Sequence, residues 1–330
     1  MPQSVTPILL SVVFATLIVI SHPAFRGLDS SDPDSLRKLE LESAEKPAPA
    51  EPVAYDIPYK RRLLRTLRLD VYGPLPASRG QVDAAGGSGP VSGAAVIRGR
   101  APVIVFFHGG SWIRGDKLTI RIVDRFLRRM REAGYFVVAA NYTDSLLRGL
   151  GGPVENARDA VAWVAENADM YGFDPHRIGL YGVSAGAHLA LMVASDPPEV
   201  SHTIAFVFAE CAPTDLIAMR DGDAFGSSGA FRIFRGSRLR ELSPITHVSQ
   251  AVPPVLLFHG DADRIVHIDQ SRRYAAALER AGGEVELVEY PGGDHAFLNF
   301  PDDVWYEQET RALEYFEQAF ASPNVRFRLD

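Results

Sequence analysis

The chain is almost without cysteine: Cys211 is the only one in 330 residues. A single cysteine excludes an intramolecular disulfide and a cysteine-based metal site. It follows the apolar run from Ile204 to Ala209, where a small buried thiol at a strand end is expected. There is no His-Glu-x-x-His pattern or other metal-ligand spacing, and no glycine-rich phosphate loop, so neither a metal nor a cofactor is expected. Basic runs interleaved with aromatics are also missing, and the net charge is −7, which argues against a nucleic-acid partner. The local cluster Arg121, Arg125, Arg128, Arg129 and Arg131 shares a helical pattern with Ile122, Val123, Phe126, Leu127 and Met130. That pattern predicts a solvated face opposite an apolar one. No internal repeat is visible.

Only one long hydrophobic run is present. Val5 to Ile20 carries no charge over 16 residues, about 24 Å as a helix against a hydrocarbon core of about 30 Å. A basic segment before it and a good small-x-small site after it are both missing, so an uncleaved membrane anchor through residues 5–20 is expected, with a cleaved signal and a secreted or periplasmic protein as the alternative. Residues 1–28 are therefore read as the hydrophobic segment. Residues 29–54, rich in Pro, Ala, Glu and Asp, read as a solvated linker. The remainder, 55–330, reads as one catalytic domain, whose glycine-rich stretch from Ala77 to Gly99 predicts a loop.

Within that domain, apolar segments 103–107, 136–140, 177–181, 203–209, 255–258 and 285–290 alternate with helical patterns. Ala157, Ala160, Val161, Val164 and Ala168 share one helical face, and Gly172 follows as a stop. Strands alternating with helices predict an α/β class with a mostly parallel sheet covered on both faces.

Gly182-Val183-Ser184-Ala185-Gly186 joins the run Arg177 to Tyr181 to the helical run Ala187 to Met192. Gly-x-Ser-x-Gly alone is a modest signal; between a strand and a helix it predicts a sharp turn that lifts the serine hydroxyl above the sheet edge. A serine hydroxyl is a weak nucleophile and needs a histidine base, a carboxylate to orient it, and donors for the oxyanion. The segment Val255 to Phe258 leads into His259-Gly260-Asp261-Ala262-Asp263, a loop with two aspartates. Val285 to Tyr290 opens into Pro291-Gly292-Gly293-Asp294-His295, which presents a histidine. Upstream, Val103 to Phe107 ends in His108-Gly109-Gly110-Ser111-Trp112, a loop whose glycines leave amides uncovered.

With these parts in place the sequence resembles the α/β-hydrolase carboxylesterases of the hormone-sensitive-lipase-like and feruloyl-esterase-like group, from about Tyr55 to Phe320. The resemblance rests on the order Ser, Asp, His and on Leu69-Asp70-Val71-Tyr72, Gly115-Asp116-Lys117, Asn141-Tyr142, Asp174-Pro175-His176-Arg177, Ser243-Pro244-Ile245 and His259-Gly260. It implies Ser184 as nucleophile, His295 as base and Asp263 as the orienting acid, with Asp261 left to cap its turn and Asp294 outside the triad. It also implies main-chain oxyanion donors at Gly109, Gly110, Ser111 and Ala185. Ser111 stands where many relatives have a third glycine, and Ala187 replaces another. His108 and His259 are expected to tie loops, and His188 to pack beside the site.

Between Ala212 and Val248 the periodicity is weak, which fits a small cap. Phe225, Phe231 and Phe234, with Trp112 and Phe297, are expected either to border the substrate pocket or to fill the core of a minor helix. A small cap favours short-chain or aryl esters, small molecules hydrolysed without a cofactor. Arylformamidase or serine peptidase activity is the alternative on this fold, and a non-catalytic ligand-binding module is a third reading, weakened because no triad member is missing.

Overall fold

Eight strands form a single sheet in the order β1-β2-β4-β3-β5-β6-β7-β8. The computed structural model describes residues 52–61, 65–75, 100–121, 124–143, 149–196, 204–221 and 238–321. The expected hydrophobic anchor, nearly all of the linker, the loop at 77–99 and the three cap phenylalanines lie outside these residues. Strands β3 (Ala101–Phe107), β4 (Phe136–Ala140), β5 (Phe173–Val183), β6 (Ile204–Glu210), β7 (Val255–Gly260) and β8 (Val285–Tyr290) are mutually parallel. Two further strands, β1 (Ala54–Arg61) and β2 (Thr66–Tyr72), extend the sheet antiparallel at one edge. Neither was expected as a strand, and β1 begins one residue inside the expected linker.

The inner strands β3, β4, β6 and β7 are buried along their whole length while β8 at the edge keeps Glu289 exposed, and side chains alternate between two cores, as the pleat requires. Val103, Val105 and Phe107 face one layer, and Ile104 and Phe106 face the other. The first layer is built on α2 (Gly151–Glu166), α4 (Ala185–Ala194) and α7 (Asp269–Arg280). Here Ala157, Ala160, Val161 and Val164 of α2 are buried as their spacing predicted. Gly172, at φ 79°, stops the short helix α3 (Ala168–Tyr171) that follows α2. The second layer is built on α1 (Asp124–Glu132) and α8 (Asp302–Ala321).

The basic face of α1 departs from expectation. Arg128 is exposed and pairs with Glu132, but Arg131 is buried and its Nε donates to Gly73 O at 2.6 Å. Arg129 reaches α8, donating to Tyr306 O and Thr310 Oγ1. Two of these arginines therefore tie the helix into the fold, because a carbonyl or helix neighbour lies within reach of each long side chain.

Short helices α5 (Leu216–Asp221) and α6 (Arg238–Glu241) flank residues 222–237, which include the expected cap phenylalanines and lie outside the described residues. From β3 the chain turns to β4 on one side, then crosses to β5 on the other. The carboxyl ends of β3 and β5 thus flank a topological switch point, where open α/β sheets bind ligands. The chain has the α/β-hydrolase fold.

Candidate active site

Ser184 occupies the corner between β5 and α4 at φ 55° and ψ −117°. A non-glycine residue there is strained by about 1–3 kcal/mol, and the surroundings hold it. Its N–H donates to Glu210 O at the end of β6 (2.8 Å), and its carbonyl accepts from His188 N in the first turn of α4 (3.1 Å). The first turn of α4 lies directly on the end of β3: a Cβ at Gly186 would stand 1.9 Å from Phe107 O. That contact is why glycine follows the serine by two.

His295 follows β8 in a single short turn, His295–Phe297, in which Ala296 and Phe297 have φ of 60° and 57°. The Ala296 amide donates to Cys211 Sγ at 3.2 Å. His295 Nε2 lies 2.9 Å from Ser184 Oγ, and its Nδ1 lies 2.7 Å from Asp263 Oδ2. A carboxylate only accepts, so Nδ1 carries the proton and Nε2 is free to accept from the serine hydroxyl.

Asp263 is buried, and four N–H groups surround its carboxylate. Oδ1 accepts from the amides of Ile265 (2.8 Å) and Val266 (2.9 Å). Oδ2 faces His295 Nδ1 and also His259 Nε2, which stands 3.3 Å away. Burial by itself would raise the carboxyl pKa; hydrogen bonds from His259 and His295, the His295 charge and the Val266 amide outweigh it and hold the group well below the usual carboxylate range.

The remaining candidates fall as follows. Asp261 Oδ1 accepts from Gly292 N, pinning one loop to the other, and Asp294 exchanges hydrogen bonds with Asn299; neither contacts His295 in the hydrogen-bond network. His108 Nδ1 donates to Gly109 O (2.7 Å), and burial lowers its pKa to about 4. His259 does tie its loop, through Val266 O (2.8 Å) and Ser271 Oγ (2.7 Å). Its approach to Asp263 was not expected from the sequence; the signal was the four-residue spacing from the end of β7 into the loop that follows it. Cys211 is buried behind Asp263 and His259, its thiol pushed up by burial and by the Asp263 charge. Asp263 has no acceptor position left for a metal, since both oxygens are already shared by N–H donors.

Beside Ser184, the loop after β3 brings Gly109 against the elbow. A Cβ at Gly109 would lie 3.2 Å from Val183 O and 3.6 Å from Ser184 Cβ. Gly110 turns the chain at φ 122°, and Ser111 follows at 55°. Among the described residues no turn or loop carbonyl accepts from the amides of Gly109, Gly110, Ser111 or Ala185. Trp112 and Phe297, expected near a pocket, are 1% and 0% exposed and pack in the core. Trp112 meets His188, and Phe297 meets Tyr290, Phe300 and Trp305. Phe231 lies outside the described residues.

The chain is 30% identical to esterase LipQ of Mycobacterium tuberculosis over 60% of this chain and 51% of that protein. It is 28% identical to isoprenylcysteine alpha-carbonyl methylesterase of Arabidopsis thaliana over 62% of this chain and 53% of that one. The chain spans about half the length of these curated relatives. Among solved structures, a propionate-bound thermophilic esterase of Thermogutta terrifontis superposes with a TM-score of 0.61 at 26% identity, covering 82% of this chain and 94% of that one. A family match, BD-FAE, runs over residues 94–278. It takes in the loop after β3, the serine corner and the Asp263 loop, more than half of the sequence, and the chain belongs to the BD-FAE family.

Proposed function

We propose that this chain hydrolyses carboxylic esters, short-chain or aryl, by a two-step acyl-enzyme route. The observation that carries the reading is the unbroken chain of hydrogen-bonding atoms from Ser184 Oγ through His295 to Asp263, at 2.9 and 2.7 Å, on a serine lifted above the switch point of the sheet.

His295 Nε2 takes the proton of Ser184 as Oγ attacks the ester carbonyl. The carbonyl oxygen becomes an oxyanion and accepts from the amides of Ala185 and of the Gly109-Gly110-Ser111 loop, fixed dipoles that require no reorganisation as charge develops. The imidazolium, stabilised by ionised Asp263, then returns the proton to the departing alkoxide, leaving Ser184 acylated. Water repeats the sequence: it gives its proton to His295, adds to the acyl carbon, and Ser184 leaves as the hydroxyl while the acid departs. Propionate bound to the Thermogutta esterase supports a short acyl chain here.

The test is hydrolysis of p-nitrophenyl esters from acetyl to palmitoyl by the full chain and its Ser184→Ala variant, beside an aryl formamide and a dipeptidyl amide. Ester turnover that peaks at short acyl chains and vanishes in the variant is the expected result. Turnover of the amides without the esters overturns it in favour of a formamidase or peptidase.

A further inference from the structure

From Gly110 to Trp112 the loop after β3 runs through φ of 122°, 55° and 58°. Only the first of the three is glycine, so two consecutive L-residues stand in the left-handed region and the surroundings must hold them there. From one side, Gly110 O accepts from the amides of Ile113 and Arg114, both at 3.1 Å. From the other, the buried Trp112 indole donates through Nε1 to His188 Nδ1 at 3.1 Å, and the two rings pack edge to face at 5.1 Å.

His188 lies one turn beyond Ser184 on α4 and is fully buried. Its second nitrogen, Nε2, is 2.7 Å from Leu242 O, directly after α6. A carbonyl only accepts and an indole N–H only donates, so Nε2 carries the proton and Nδ1 is bare; both nitrogens have a single consistent assignment. Burial lowers the pKa of this histidine to about 4, opposed by the Leu242 hydrogen bond, so the ring is neutral near pH 7.

We infer that His188 is a positioning residue that locks the oxyanion loop, through Trp112, in register with the serine corner and ties both to the end of α6 through Leu242. The inference rests on the ester-hydrolase reading above. The amides of Gly109 and Gly110 can stabilise charge only at a fixed distance from the reacting carbonyl, and an error of about 1 Å in such a site costs on the order of a hundredfold in rate. Trp112 is the side chain at the strained end of that loop, and His188 is the residue of the nucleophile's own helix that holds it.

The experiment uses the full chain with p-nitrophenyl acetate in the pre-steady state, plus labelling of Ser184 by a fluorophosphonate. Burst amplitude counts the folded, competent sites, and the burst rate constant reports acylation at each. In Trp112→Phe, which keeps an aromatic ring but removes the N–H together with part of the indole, the rate constant is expected to fall roughly tenfold, on the order of the effect of one hydrogen bond, while the substrate dissociation constant read from the concentration dependence of the burst rate is unchanged. His188→Leu, which removes both links, falls further. His188→Asn, with Oδ1 near the position of Nδ1, recovers part of the loss. Losses confined to burst amplitude, or unchanged rates in Trp112→Phe while the wild type labels and turns over, overturn the inference alone. A wild type that neither labels nor hydrolyses any ester overturns the ester-hydrolase reading and this inference with it.

Discussion

Replacing Asp263 by asparagine changes one atom and tests the electrostatic logic of the triad. Oδ1 accepts from two backbone amides at 2.8 and 2.9 Å, and only an oxygen can stay there. The new amide nitrogen must then take the place of Oδ2, 2.7 Å from His295 Nδ1 and 3.3 Å from His259 Nε2. Facing a donor, His295 has to present a bare Nδ1, so its proton moves to Nε2 and points at Ser184 Oγ. A base that carries its proton on the nucleophile's side cannot take another, and the expected loss in kcat is about 10,000-fold, or roughly 5.5 kcal/mol of transition-state stabilisation.

His259 meets the same donor, and a tautomer shift lets it adapt because the Ser271 hydroxyl can accept as well as donate. That shift forfeits the His259 Nε2 bond to Val266 O, at a cost of about 1 kcal/mol in stability. The variant is thus expected to melt only a few degrees below the wild type, to bind substrate with nearly unchanged KM, and to regain rate as hydroxide rises above pH 9. Steady-state kinetics with p-nitrophenyl acetate from pH 6 to 10, with thermal unfolding alongside, reads all of these. Retention of kcat within about tenfold of the wild type in a folded Asp263→Asn protein would refute the role given to Asp263. Asp263 itself adds no pH dependence in this range: a carboxyl depressed on folding contributes stability above its unfolded pKa and loses it only as pH falls through the lower folded value.

Three further outcomes follow from contacts around the site. Glu210, whose carbonyl holds Ser184 N, has a carboxyl that burial raises to about 8, with Glu309 adding to the shift and the Tyr181 hydroxyl opposing it. The native state therefore keeps a proton that the unfolded chain loses, so stability is expected to fall between about pH 4.5 and 8 by up to ~1.4 kcal/mol per unit; a melting temperature for Glu210→Gln that tracks the wild type in parallel across that window would contradict this. Gly186→Ala puts a methyl 1.9 Å from Phe107 O and 2.7 Å from His108 O, and is expected to yield no protein with a labelled Ser184 and a cooperative melt together. Lys117→Met leaves buried Asp70 without the ammonium 3.0 Å away, and urea unfolding should register a loss of about 3 kcal/mol; a loss under about 1 kcal/mol would contradict this.

The parts of this molecule that were legible in its sequence are those written locally. All-apolar runs of strand length, a glycine-flanked serine between strand and helix, and loops carrying an acid and a histidine each identify themselves within a dozen residues. Strand β1 did not, because it alternates half-buried and exposed positions and has no fully buried residue; β2 did not, because Arg68 and the buried Asp70 interrupt its apolar positions. Arg131 misled for a related reason: helical spacing places a side chain on a face but does not reveal that Gly73 O waits beyond it.

The short motifs that looked like separate marks of kinship turn out to be one construction. Asp70 of β2 pairs with Lys117 after the loop that follows β3, Lys117 N donates to Asn141 after β4, and Asn141 in turn donates to Asp116. Next to it, Tyr142 donates to His108 O, at the start of the loop that packs Gly109 against the serine corner. His188 and His259 act on the same pattern from the other side, each using two fixed nitrogens to join an element that carries chemistry to one that does not. A histidine of this kind has the same composition signal as a core histidine, and only the identities of its two partners separate them. Those partners lie 76 and 54 residues away for His188, and only the folded sheet brings them together.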